Sequence, residues 1–138
     1  MPGRSTAPRA GDALRDRVAG LGRDLGLEAR KEVRVGRRIW GAERFIDVVL
    51  TQRETRLSLG IECQAQEGKG SAEEKIPATI QDIGAWPTRG IVCFAGEGFS
   101  TNMRSFLVST GLAVEFEDLE QSLRLYFEQL EDEEEGRR

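Results

Sequence analysis

Two short segments constrain this chain most: Ile46-Asp47-Val48-Val49-Leu50 and Ile61-Glu62-Cys63-Gln64-Ala65-Gln66. Each is an apolar run with acidic or amide side chains set into it. Short runs rich in β-branched residues read as buried strands. A carboxylate buried there without a partner is expensive, so each demands one. Two carboxylates on neighbouring strands can find a single partner in common, a divalent cation.

The rest of the chain supplies a frame around those strands. Leu14, Val18, Leu21 and Leu25 are spaced four, three and four, which predicts an amphipathic helix over 11–25, with Gly26 placed to end it. Residues 28–40 alternate loosely, with Val33, Val35 and Ile39 among Arg30, Lys31, Arg34, Arg37 and Arg38. They read as a strand with basic residues on its exposed face, or as a hairpin turning near Gly36. Strands are expected at 44–50 and 56–66, and in the second Leu57, Leu59, Ile61, Cys63 and Ala65 share one face. Ser71 with Glu74 fits a capping box that opens a helix with a stripe at Ala72, Ile76, Ile80 and Ile83. Pro77 should kink or delay that helix. A strand at 90–95, apolar enough to be central, a short helix at 101–110, a strand at 112–116 and a helix at about 118–130 complete the order. Strands alternating with helices predict an α/β domain, a mixed β-sheet flanked by helices on both faces.

Within 138 residues this is one domain at 11–130, between a flexible arm at 1–10 and an acidic tail at 131–138. No run approaches the roughly 18–20 apolar residues that span a bilayer, so no membrane partner is expected. The N-terminus lacks the apolar core of a secretory signal. Cys63 and Cys93 lie in apolar strands and read as reduced core thiols, which points to a cytoplasmic setting, although a cross-strand disulfide is open. The absence of histidine removes Ser-His-Asp and Cys-His triads and every imidazole zinc site. The net charge of −4 hides a division: residues 1–110 carry 17 basic and 14 acidic groups, and 111–138 carry 3 and 10. The body is therefore mildly basic, which admits a nucleic-acid substrate but argues against tight binding by charge alone.

Glu62 and Gln64 are separated by one residue and so share a face, and paired strands lie about 4.8 Å apart, so Asp47, Glu62 and Gln64 can converge. Mg²⁺ takes oxygen ligands, commonly one or two carboxylates with waters and substrate phosphate. The main-chain carbonyl of Cys63 is a further candidate ligand. The plainer reading of Asp47 is an ion pair with Arg44 or Arg34. Asp47, then Glu62-Cys63-Gln64 at the end of an apolar strand, then Gly70-Ser71-Ala72-Glu73-Glu74-Lys75-Ile76-Pro77, resembles the PD-(D/E)XK nuclease superfamily over about residues 33–95. It looks most like small restriction-endonuclease-like proteins with an E-C-K-x-Q motif followed by G-[ST]-A-E-E-K-[IV]-P.

The resemblance implies a restriction-endonuclease-like fold and Mg²⁺- or Mn²⁺-dependent hydrolysis of DNA. Asp47 and Glu62 would hold the metal, and Gln64 would stand where the family has its lysine. Glutamine can orient a water but cannot take its proton. Lys69 or Lys75 is the candidate substitute cation, and Arg34, Arg37, Arg38 and Lys69 are the candidate phosphate contacts. Such contacts position a nucleic acid without reading its sequence. Cutting a duplex would be simplest for a homodimer. The alternative is a nuclease fold without chemistry, a DNA-binding or protein-interaction module.

Overall fold

The computed structural model describes residues 10–37, 43–65, 72–96 and 99–136. Helix α1 (Ala10–Asp24) buries Leu14, Val18 and Ala19. Its end is closed chemically: Leu27 N donates to Gly22 O at 2.9 Å and Gly26 N to Arg23 O at 2.9 Å, with Gly26 at φ 83°. This is the Schellman arrangement, in which a left-handed glycine lets the last carbonyls be satisfied. Strands β1 (Glu28–Arg37), β2 (Glu43–Thr51) and β3 (Ser58–Ala65) follow as antiparallel neighbours. Helix α2 (Ala72–Gly84) crosses to β4 (Arg89–Ala95), and α3 (Thr101–Thr110) crosses to β5 (Ala113–Glu115). Both crossovers return parallel strands, so the sheet is mixed, in the order β1-β2-β3-β4-β5. Helix α4 (Phe116–Gly136) ends the described chain.

Each face of the sheet has its own core. On one, Val48, Leu50, Leu59, Ile61, Cys63 and Cys93 pack against Leu14 and Val18 of α1 and Leu119, Leu123 and Phe127 of α4. On the other, Ile46, Val49 and Val92 pack against Ile83 of α2 and Trp86 just beyond it. Phe94 and Phe99 meet edge to face near α3, with centroids 5.5 Å apart. Gly60 and Gly90 are register partners beneath the Trp86 indole. A Cβ on Gly90 would lie 2.4 Å from Trp86 Cε3, and one on Gly60 2.9 Å from Trp86 Cζ3. The glycine pair is the seat that lets a large ring lie on the sheet.

Several expectations are corrected. β1 does not turn at Gly36; it continues to Arg37, and its register against β2 slips between Arg34 and Gly36. β3 starts at Ser58, because the chain before it closes a turn with Gln52 N on Leu57 O at 2.9 Å. Pro77 does not delay α2, which begins at Ala72; the Ser71 cap lies outside the described residues. β4 lies inside the sheet, between β3 and β5, as its apolar run predicts. α4 runs past 130 to Gly136, since glutamate continues readily a helix already anchored by Leu119, Leu123 and Phe127. Both cysteines are buried free thiols, as expected, and form no cross-strand disulfide.

Candidate active site

The site forms at Asp47, where β2 loses its pairing with both neighbours. β2 pairs with β3 from Thr51↔Ser58 to Val48↔Ile61, and the pairing stops before Asp47 and Glu62. Against β1 it pairs at Lys31↔Val48 and Val33↔Ile46, skipping the Glu32 and Asp47 position between them. The packing shows the same break. Val48 and Leu50 face the α1 side, Val49 the α2 side, and Ile46 also the α2 side, three residues from Val49 where strict alternation needs an even number. Local breaks of this kind re-aim a side chain.

Freed from the ladder, the backbone there is satisfied by carboxylates. Cys63 N donates to Asp47 Oδ2 at 2.8 Å, and Asp47 N donates more weakly to Glu62 Oε1 at 3.4 Å. The two acidic side chains are thus drawn together at the end of the paired region. Burial first, then a hydrogen bond to Asp47 and its negative charge, push the Glu62 carboxyl up to about 9. Asp82 of α2 adds to the same effect. The Cys63 thiol is pushed far up as well, by burial above all and then by the charge of Asp47. Among the described residues no arginine or lysine forms an ion pair with Asp47 or Glu62; Arg44 instead meets Asp82, Nη2 to Oδ1 at 3.5 Å. The plain reading of Asp47 as a partner of Arg44 therefore fails.

Gln64 follows Glu62 on the same face of β3, half-buried, opposite Phe94 of β4. Arg34 is exposed on β1 opposite Phe45, and Arg37 ends that strand opposite Glu43. Arg38 and Lys69 lie outside the described residues. Lys75 is within α2, with its side chain outside the description. The structure therefore joins Asp47, Glu62 and the Cys63 backbone, and places Gln64 beside them. Among the described residues no third acidic or cysteine side chain completes a metal cluster with the pair. Asp82 escaped the sequence reading, and Arg44 was assigned to Asp47 rather than to Asp82. A signal was available for Asp82, an acidic residue three positions after buried Thr79 and one before buried Ile83 on the inward side of α2.

A sequence profile of the PD-(D/E)XK nuclease superfamily domain matches residues 6–128. The chain belongs to the PD-(D/E)XK nuclease superfamily. The five-stranded mixed sheet with helices on both faces agrees with the restriction-endonuclease-like fold expected from its sequence. The crystal structure of a protein of unknown function, AF1548, is similar in fold, with a TM-score of 0.53 and 18% identity. The similarity covers 78% of this chain and 57% of that one, so this superfamily member spans little more than half the length of that protein. No curated protein matches the chain.

Proposed function

We propose that this nuclease-superfamily domain is a metal-dependent deoxyribonuclease whose centre is the Asp47–Glu62 pair. The observation that carries the reading is the pair itself, two carboxyls held together at a break in the sheet with the Glu62 carboxyl pushed up to about 9. Such a pair is short of positive charge, and its oxygen donors fit Mg²⁺ or Mn²⁺. Asp47 and Glu62 would hold the ion. The carbonyl of Cys63 supports them: an extended residue points its N–H and C=O the same way, and the Cys63 N–H already points to Asp47. Substrate phosphate and waters would complete the shell. When bound, the ion would supply charge stabilisation at the phosphate and a more acidic water.

The chain's own groups divide the remaining work. Asp47 ties β2 to β3 through the Cys63 amide and so fixes the distance between the carboxylates. Gln64, on the Glu62 face, would orient the attacking water through its carbonyl oxygen and amide hydrogens, without removing a proton. Arg34, Arg37, Arg38 and Lys69 would hold the DNA backbone, with Lys75 as a substitute cation near the start of α2. A homodimer would bring two such centres to the two strands of a duplex.

The test is a cleavage assay on plasmid, linear, single-stranded and branched DNA in Mg²⁺, Mn²⁺ and EDTA. Wild type should cut only with metal, and Glu62→Ala should not cut. The neutral Gln64 favours a second reading, a nuclease fold that binds without cutting. Silence from wild type with cutting by Gln64→Lys would establish that reading in place of the first, and silence from all three would leave a binding module.

A further inference from the structure

Glu32 of β1 has φ 53°, a left-handed conformation rare for a long side chain. It occupies the very position across from Asp47 that the β1–β2 ladder skips. Such conformations persist where surrounding structure holds them. The holder is Arg15 of α1, whose Nη1 meets Glu32 Oε1 at 2.5 Å and lies 3.7 Å from Asp12 Oδ1, with Asp16 at 4.0 Å from its Nε. The Arg15 side chain is only 18% exposed, against 65% for Glu32, so the anchor is the arginine and the glutamate is the arm that it grips. Lys31, next to Glu32, is tied to the same helix through Asp16 at 2.9 Å. Leu14 and Val18 of the same helix share a core with Val48 of β2 and with Ile61 and Cys63 of β3, and the Cys63 amide binds Asp47. At the level of the carboxylate pair, α1 therefore reaches β1, β2 and β3 together.

We infer that Arg15 and Glu32 form a clamp of positioning residues that fixes the break in β2 at Asp47 and so sets the aim of the Asp47–Glu62 pair. An ordinary surface ion pair between α1 and β1 would need neither a left-handed residue nor a place opposite Asp47. The pairing keeps one register from Lys31↔Val48 to Val33↔Ile46, so the skipped position is distinct from the slip between Arg34 and Gly36. That the aimed pair is catalytic rests on the function proposed above.

Glu32→Gly separates the clamp from general stability, because glycine takes φ 53° freely while Arg15 loses its nearest carboxylate. The variant should melt at or above the wild-type temperature, yet its kcat should fall on the order of 10- to 100-fold with KM unchanged, the penalty of a misplaced group. Glu32→Gln keeps an oxygen for Arg15 and should recover most of the turnover. Amide hydrogen exchange on metal-free protein gives a reading that needs no activity. Protection of the Cys63 amide should drop about tenfold in Glu32→Gly and in Arg15→Met, with Leu59 and Ile61 unchanged. Wild-type exchange at Cys63 in both variants would overturn the clamp, whatever the cleavage rates. Faster exchange at Cys63 with wild-type turnover would overturn its catalytic part. If wild type itself does not cleave DNA, the proposed function fails and the exchange data alone decide the clamp.

Discussion

Replacing Glu62 with glutamine should make the metal-free protein more stable at alkaline pH. In the folded protein the Glu62 carboxyl is pushed from 4.5 up to about 9, by burial first and then by Asp47. Between those values the folded state holds a proton that the unfolded chain has released. Stability from this group is complete below about pH 4.5 and is lost as pH rises towards 9. At about 1.4 kcal/mol per pKa unit the ceiling is on the order of 6 kcal/mol. Glu62 is half-buried, and solvent access reduces this to about 2–3 kcal/mol. Glutamine stays neutral and can donate to Asp47 as the protonated acid does, so it avoids the loss. The assay is urea denaturation of wild type and Glu62→Gln in EDTA across pH 5 to 9, read as the difference between them so that other titrations cancel. The difference should grow with pH in favour of the variant. Mn²⁺ should then reverse it at high pH, since a cation held by Asp47 and Glu62 stabilises only the wild type. Parallel wild-type and variant profiles in EDTA would refute the picture of two carboxyls sharing one half-buried space.

Three further outcomes follow from the packing and charge. Gly90→Ala forces the Trp86 ring off its seat and should lose about 1–3 kcal/mol in urea denaturation, as over-packed cores do. Cys63 and Cys93, buried and with their thiols pushed up by burial above all, should resist a chromogenic disulfide reagent at pH 8 and react once denaturant is added. Asp82→Asn removes a charge that helps keep Glu62 protonated and releases Arg44, so the midpoint of the wild-type pH loss should fall by about half a unit or more in the same EDTA titration.

The fold was legible wherever one face of an element is apolar. Leu14 and Val18 announce α1, and Leu59, Ile61 and Cys63 announce β3, because burial repeats at the period of the backbone. The Asp47–Glu62 pair was legible for the opposite reason, as acid set where the pattern demands a hydrophobe. The break around Asp47 was not legible, since Ile46 through Leu50 are nearly all apolar and an apolar run hides which face each residue takes. Glu32 was hidden too, because a lone glutamate in a charged strand gives no sign of a positive φ. The end of α4 was missed because charge reads as solvated tail, whereas helix propensity is independent of burial.

The break in β2 also explains why the acidic pair belongs to the fold as much as to the chemistry. Where β2 leaves its ladder, the amides of Asp47 and Cys63 need acceptors, and buried N–H groups do not go without them. Glu62 and Asp47 are those acceptors. Alanine at either position would therefore remove a backbone partner and a charge at once, and a dead variant would not say which loss mattered. Asp47→Asn keeps a side-chain oxygen for Cys63 N–H and removes only the charge. A folded Asp47→Asn protein with normal protection at Cys63 and no stabilisation by Mn²⁺ would assign the charge to metal binding and the oxygen to the fold. Full stabilisation by Mn²⁺ in that variant would place the ion elsewhere in the molecule.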